Sequence, residues 1–268
     1  MKANLHIHTT CSDGTKTVKE INELAIKYGF DVVAITDHDT LNAVYDIKKL
    51  NTKVKFIIGV ELSCKYKNEV IHILGYFNGM PDSNLIDYLK EKERERYERA
   101  IKIIEKLEKY YDIKISYDKV KKKADGLIGR PHIAEVICAK YGCTFDEAFD
   151  KYIGDDSKAY VPYTVISLED AIKLLKENKA LVVLAHPVLI KKFDYKEIIN
   201  KGFDGIEVYH PNQGESFSNE LLKVAKENNL FITGGSDYHG EIIENKFEES
   251  YIEGKDLDIF LKLLNNLS

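Results

Sequence analysis

The sequence predicts an α/β fold of repeated strand-helix units around a largely parallel sheet. Two observations carry that prediction. Short apolar runs alternate with amphipathic stretches of helical spacing, and most runs end at a polar or glycine-containing turn. The chain has 268 residues, enough for one large domain with a full core or for a domain carrying a sizeable insertion.

Seven runs read as strands: residues 3–8, 31–36, 55–60, 70–76, 180–185, 205–209 and 230–234. Between the first two, Val18, Ile21, Leu24, Ala25 and Tyr28 form one apolar helical face, which Gly29 ends. Ser167 with Asp170 three residues later resembles a capping-box start ahead of Ala171, Leu174 and Leu175. The alternation lapses between Pro81 and Val165, which reads as a helical insertion. Its run Glu91-Lys92-Glu93-Arg94-Glu95-Arg96 mixes both signs, as a solvated helix face with local ion pairs does, and Ala100, Ile101, Ile104 and Leu107 continue it at helical spacing.

Composition narrows the function. Lys and Arg total 39 against 44 Asp and Glu, a formal charge of −5, which argues against a general footprint for long nucleic acid and leaves room for a local basic patch. Cys11, Cys64, Cys138 and Cys143 show no CxxC pairing and read as thiols of a reducing compartment. No apolar run is long enough to cross a bilayer, and strand-like residues begin just after Met1, where a cleavable signal would otherwise sit. The expectation is a cytoplasmic protein without a membrane partner.

Histidine placement points to chemistry. In His6-Ile7-His8 the period-two geometry of a strand sends both imidazoles to one side. Thr36-Asp37-His38-Asp39, Gly59-Val60-Glu61 and Ala185-His186-Pro187 each follow an apolar run, Asp237-Tyr238-His239 follows Gly234-Gly235-Ser236, and His72 lies within an apolar run. In barrels of parallel strands, side chains from different strands meet at the carboxyl-terminal face. Imidazoles with carboxylates and no thiolates suit a catalytic cluster of divalent ions rather than a structural zinc. Each signal alone has a plainer reading. An HxH pair is commonly a satisfied surface pair, the TDHD turn a helix-capping cluster, and Glu61 or His72 a buried hydrogen-bonded residue.

Taken in order, His6-Ile7-His8, Ser12-Asp13-Gly14, Thr36-Asp37-His38-Asp39, Gly59-Val60-Glu61-Leu62-Ser63, His72-Ile73-Leu74-Gly75-Tyr76, Ala185-His186-Pro187 and Ser236-Asp237-Tyr238-His239 resemble the motif series of the PHP (polymerase and histidinol phosphatase) family. The resemblance implies a distorted (β/α)7 barrel over 1–80 and 166–268, with residues 81–165 as a helical insertion forming a substrate lid. It also implies three divalent ions, manganese, zinc or iron. One would take His6, His8, Glu61 and Asp237, a second would share Glu61 and add His72 and His186, and the third would take Asp13, His38 and His239. Gly129-Arg130-Pro131-His132-Ile133-Ala134, with Ala148-Phe149 and Tyr152-Ile153-Gly154, resembles the insertion of the branch of nucleoside 3′,5′-bisphosphate phosphatases and enzymes that trim short RNA from its 5′ end. In that branch the Arg and His contact substrate phosphate. Cys11 departs from the family pattern, where Ser or Tyr is more frequent, and it touches no proposed ligand.

The implied reaction is hydrolysis of nucleotide phosphomonoesters, from a nucleoside 3′,5′-bisphosphate or the 5′ end of a short oligoribonucleotide, by in-line attack of a metal-bridging hydroxide. Glu61 and Asp237 would serve the catalytic ions. Arg130 would grip a second phosphate, its plainer role being a structural ion pair, and His132 would contact substrate unless it merely opens a helix. His210, at the end of the sixth strand, would protonate the leaving oxygen, contact the substrate or orient a neighbouring loop. The rivals are a small-metabolite phosphatase such as one for histidinol phosphate, a nuclease for longer chains, and a non-catalytic metal-binding domain.

Overall fold

The computed structural model describes every residue except Asp125, Ile242, Ile243 and Ser268. β1 (Lys2–Asn4), α1 (Val18–Lys27), β2 (Val32–Ile35) and the short α2 (Val44–Ile47) lead into a long hairpin of β3 (Lys55–Tyr66) and β4 (Glu69–Phe77). The insertion follows as α3 (Ser83–Tyr111), α4 (Tyr117–Ala124), α5 (Arg130–Tyr141), α6 (Phe145–Ala148) and a π-helical turn over Phe149–Ile153. The chain then returns through β5 (Ile166–Ser167), α7 (Leu168–Glu177), β6 (Leu181–Leu184), β7 (Gly205–Tyr209), α8 (Glu215–Glu227), β8 (Phe231–Gly234), β9 (Ile252–Glu253) and α9 (Gly254–Asn265).

The sheet runs β8-β7-β6-β4-β3-β2-β1-β9, with β5 paired to β3. It closes nearly into a barrel, because the segment after β1 pairs with the end of β8 and the residues that follow it. Leu5 N–H donates to Gly234 O at 3.1 Å and His8 N–H to Tyr238 O at 2.9 Å. All seven expected strands are present, yet they are not all parallel: β4 runs antiparallel to both β3 and β6. The reversal follows from the turn, since only Lys67 and Asn68 separate β3 from β4 and two residues cannot make a parallel crossover. His72 therefore reaches the carboxyl-terminal face of the barrel from the first half of its strand.

Local chemistry explains the elements. Thr17 caps α1 in a reciprocal box with Glu20, and Gly29 leaves the helix at φ 70°. Ser167 caps α7 by accepting from Asp170 N–H. Phe260 and Leu257 of α9 pack with Leu5, Leu74, Tyr76 and Val183 in one core. The insertion has a separate core, including Ile103, Leu107, Val120, Ile133 and Ile137, in which each fully buried aliphatic side chain contributes about 1.5–3 kcal/mol.

Candidate metal centre

Glu61, in the middle of β3, is fully buried and is shared by five imidazoles. Its Oε2 lies 3.2 Å from His6 Nε2, 3.0 Å from His8 Nε2 and 3.1 Å from His38 Nδ1. Its Oε1 lies 3.0 Å from His72 Nδ1 and 2.8 Å from His186 Nε2. Asp237 Oδ1 stands 3.4 Å from His6 Nε2 and 3.2 Å from His8 Nε2, while Asp13 Oδ1 stands 3.3 Å from His239 Nε2 and Asp13 Oδ2 3.8 Å from His38 Nε2. The structure thus gathers all nine expected side chains into one cluster. His6, His8 and Glu61 form its floor, and His38, His72 and Asp13 lie on its partly open side.

Backbone and neighbouring side chains fix these positions. A Cβ on Gly235 would lie 2.4 Å from His6 N, so only glycine lets the turn after β8 approach the His6 backbone. Asn4 stitches the same junction, donating to Ser236 Oγ at 2.7 Å and accepting Ser236 N–H at 3.1 Å. Asp37 accepts from Thr9 N–H at 2.7 Å and Ser12 Oγ at 2.6 Å, which shapes the loop presenting Asp13. His186 and Asp237 have positive φ, 23° and 48°, conformations that non-glycine residues adopt at a cost and that concentrate at functional sites.

Sequence reasoning missed Glu207. Fully buried on β7, it takes the His6 Nδ1 proton in a 3.0 Å hydrogen bond and accepts the His186 N–H at 2.8 Å. His239 Nδ1 likewise donates to Asp237 O at 2.9 Å. Both rings are thereby oriented with Nε2 toward the carboxylates, as second partners orient ligating imidazoles. A carboxylate two residues before the predicted strand end, on the face of His210's neighbours, was the available signal.

The electrostatics show a cluster that demands positive charge. Burial would raise the carboxyls of Glu61, Asp13 and Asp237, but His38 and His72 hold Glu61, His38 and His239 hold Asp13, and His6 and His239 hold Asp237 well below the usual carboxylate range. Burial would lower His8, and Asp237 and Glu61 instead push it up to about 10. Burial is likewise outweighed at His6, which Glu207 and Glu61 raise well above an ordinary imidazole. At His38 burial prevails and lowers the pKa to about 3.

Six buried atoms of this cluster have no hydrogen-bond partner: His6 Nε2, His8 Nε2, Asp13 Oδ1, His38 Nδ1, Glu61 Oε2 and Asp237 Oδ1. Unpaired buried polar atoms are costly, and these converge on one another rather than on donors. Candidate ligand atoms fall into three groups, His6 with His8, Glu61 and Asp237; His8 with Asp13, His38 and His239; and His38 with Glu61 and His72, each within 4.8 Å. Imidazole nitrogens and carboxylate oxygens in shared sets fit divalent ions.

Beside the cluster the insertion supplies arginines. Arg130 Nη1 pairs with Asp155 at 2.6 Å, and buried His132 accepts Gly129 N–H through Nδ1 at 3.0 Å in the opening turn of α5. The charged run on α3 is only partly a solvated face. Arg94 pairs with Glu91 in the open, as expected, but Arg96 turns inward to Asp39 and donates to Tyr163 OH at 3.1 Å. Arg96, Tyr163, Arg99, Tyr160, Arg130 and Phe149 then alternate, with cation-to-ring distances from 4.6 to 5.8 Å. Burial and the charges of Arg130 and Arg96 lower Arg99 to about 10, so an anion would relieve this row. His210 is covered; its Nδ1 accepts Asn212 N–H at 3.2 Å, leaving Nε2 to donate to Asp237 Oδ2 at 3.3 Å.

A nearly closed α/β barrel whose strand ends share carboxylates among imidazoles defines a metal-dependent hydrolase of the barrel type. The PHP domain model matches residues 4–181. Among relatives, a 5′-3′ exoribonuclease of Haemophilus influenzae is 31% identical over 96% of this chain and 95% of its own length. A 3′,5′-nucleoside bisphosphate phosphatase of Chromobacterium violaceum is 27% identical over 88% and 86%. A crystal structure assigned as a metal-dependent phosphoesterase, from Bifidobacterium adolescentis, superposes with a TM-score of 0.84 at 28% identity, covering 97% and 96% of the two chains. The chain belongs to the PHP family of metal-dependent phosphoesterases, and it is a phosphoric ester hydrolase. Among the described residues no helix is long and apolar enough to cross a membrane.

Proposed function

We propose that this enzyme hydrolyses phosphomonoesters of nucleotides, either a nucleoside 3′,5′-bisphosphate or the 5′ end of a short oligoribonucleotide, in the cytoplasm. The observation that carries the reading is the adjacency of two features: the carboxylate cluster around Glu61 and the arginine row reached through Asp39. The relatives named as exoribonuclease and bisphosphate phosphatase support the same substrate class.

In this reading His6, His8, Glu61 and Asp237 hold one divalent ion, Glu61, His72 and His186 a second, and Asp13, His38 and His239 a third, of manganese, zinc or iron. Bound there, such ions lower the pKa of water and polarise phosphoryl oxygens. Water oxygen joins phosphorus as the ester P–O bond breaks, and the leaving alcohol takes a proton. Arg130, with Arg99 beside it, binds a second phosphate by charge-assisted hydrogen bonds, releasing Arg130 from Asp155. His132 sits at the start of α5 next to that phosphate. His210 holds Asp237 in place through Nε2, and residues 81–165 act as the lid over the substrate.

The test is a phosphate-release panel with Mn²⁺ and Zn²⁺ reconstitution, using a nucleoside 3′,5′-bisphosphate, a mononucleotide, histidinol phosphate and short 5′-phosphorylated oligoribonucleotides, with Asp237→Asn as the inactive control. Preference for the bisphosphate or the oligoribonucleotides is expected. Preference for histidinol phosphate, or release from none of them, would overturn the assignment.

A further inference from the structure

The insertion carries a second basic feature that the reaction itself does not use. A groove of about 1040 Å³ lies between the segment after α3, helix α4 and the far half of α5. Lys114, Lys119, Lys122, Lys123 and Lys140 line it, all of them exposed, and among the described residues no acidic one does. Asp112 pairs with Lys114 at 3.2 Å and Glu135 with Lys123 at 3.3 Å from outside the lining; among the described residues no carboxylate pairs with Lys119, Lys122 or Lys140. This concentration stands out in a chain of net charge −5.

The groove is tied to the metal centre by covalent geometry. Helix α5 begins with Arg130 and His132, whose imidazole feels the Asp13 charge, and continues to Val136, Ala139 and Lys140 on the groove. At 1.5 Å per residue, Lys140 lies about 12 Å along the axis from His132, roughly the rise of four stacked nucleotides. Beyond α4, Leu127 N–H donates to Cys11 O at 3.0 Å, in the loop that presents Asp13. Helix α5 thus joins groove and cluster, and Leu127 gives a second point of contact.

We propose that this groove holds the downstream strand of a single-stranded RNA whose 5′ end is in the metal centre. The inference rests on the proposed function and extends it from one nucleotide to a chain. The lysines hold phosphates, so the contact is chiefly to the backbone and tolerates any base sequence; a ring at the rim, Tyr141, lies 5.3 Å from Lys140 Nζ and offers a face on which any base can stack. The concave shape, with Ile115, Val136 and Ala139 as an apolar floor, fits a strand and not a flat anionic membrane.

The experiment is fluorescence anisotropy with 3′-labelled decamer and trimer RNA made hydrolysis-resistant by a 5′-thiophosphate and phosphorothioate linkages, on the metal-loaded full chain. Lys119→Gln/Lys122→Gln should weaken decamer binding about tenfold or more at low salt. Two fewer phosphate contacts should also reduce the slope of log K against log salt by about 1.4. Trimer binding should be unchanged, and Lys119→Arg/Lys122→Arg should restore the decamer. An unchanged decamer affinity, an equal loss for the trimer, or displacement of the decamer by phosphatidylserine vesicles would overturn the proposal. A metal-loaded enzyme that releases phosphate from neither the bisphosphate nor the oligoribonucleotides would defeat the functional reading, while the lysine dependence of binding would still be read separately.

Discussion

Glu207 Oε1 accepts the Nδ1 proton of His6 at 3.0 Å, with both side chains fully covered, so the ring at the floor of the cluster is aimed by a carboxylate on a different strand. Removing such a partner typically lowers metal affinity or activity by 10–100-fold. Glu207→Gln is expected to fall in that range. Competition with a metal chelator measures the affinity, and wild-type affinity in the variant would remove Glu207 from the account.

Arg96 joins α3 to the barrel by reaching Asp39, whose other oxygen accepts Ser63 N–H at 2.8 Å. Breaking a buried ion pair from one side costs about 3–5 kcal/mol because the remaining charge is left unpaired. Arg96→Met should therefore lower the denaturation midpoint strongly. Arg96→Met/Asp39→Asn should recover part of the loss, and full additivity of the two single changes in a double-mutant cycle would mean that the pair does not interact.

Without metal, stability should depend on pH with a definite sign. His8 is raised to about 10 in the fold, above about 6.5 when unfolded. Its contribution is therefore complete below about pH 6.5 and is lost as the pH climbs toward 10; the raised His6 acts in the same direction. His38, lowered to about 3, costs stability once the pH falls below about 6.5. Thermal melts in chelator should show a Tm that drops between pH 7 and pH 10, and metal loading should flatten that limb while releasing protons. A chelated protein that gains stability over this range would contradict the assignment of charges.

The close approach at Gly235 gives a test of the framework itself. Gly235→Ala places a methyl group 2.4 Å from His6 N, and overpacking of this kind typically costs about 1–3 kcal/mol. The variant should be destabilised by that amount and should bind metal less tightly, because His6 must shift. Ordinary metal affinity at reduced stability would separate the turn from the cluster.

Much of this architecture was legible. The apolar runs located seven of the nine strands among the described residues, all but the two-residue β5 and β9, and the alternation in His6-Ile7-His8 placed two imidazoles together because side-chain direction has period two. Strand direction was not legible, since an apolar run has no polarity and the two-residue link, with Lys67 at φ 51°, lacks the Asn-Gly signature of a tight hairpin. Glu207 was hidden because a lone carboxylate within a strand resembles any edge residue. Arg96 and Arg99 were hidden inside a mixed charge run, where composition says solvent and only the fold turns two of the guanidiniums inward.

The most direct test is the metal content of purified, active protein by inductively coupled plasma mass spectrometry, with Glu61→Gln measured alongside. Glu61 oxygens face five imidazoles across the candidate groups, so wild-type protein should carry up to three divalent ions per chain, and the variant should lose most of them together with phosphate release. Full phosphate release from protein devoid of transition ions, or an unchanged metal count in Glu61→Gln, would contradict the account.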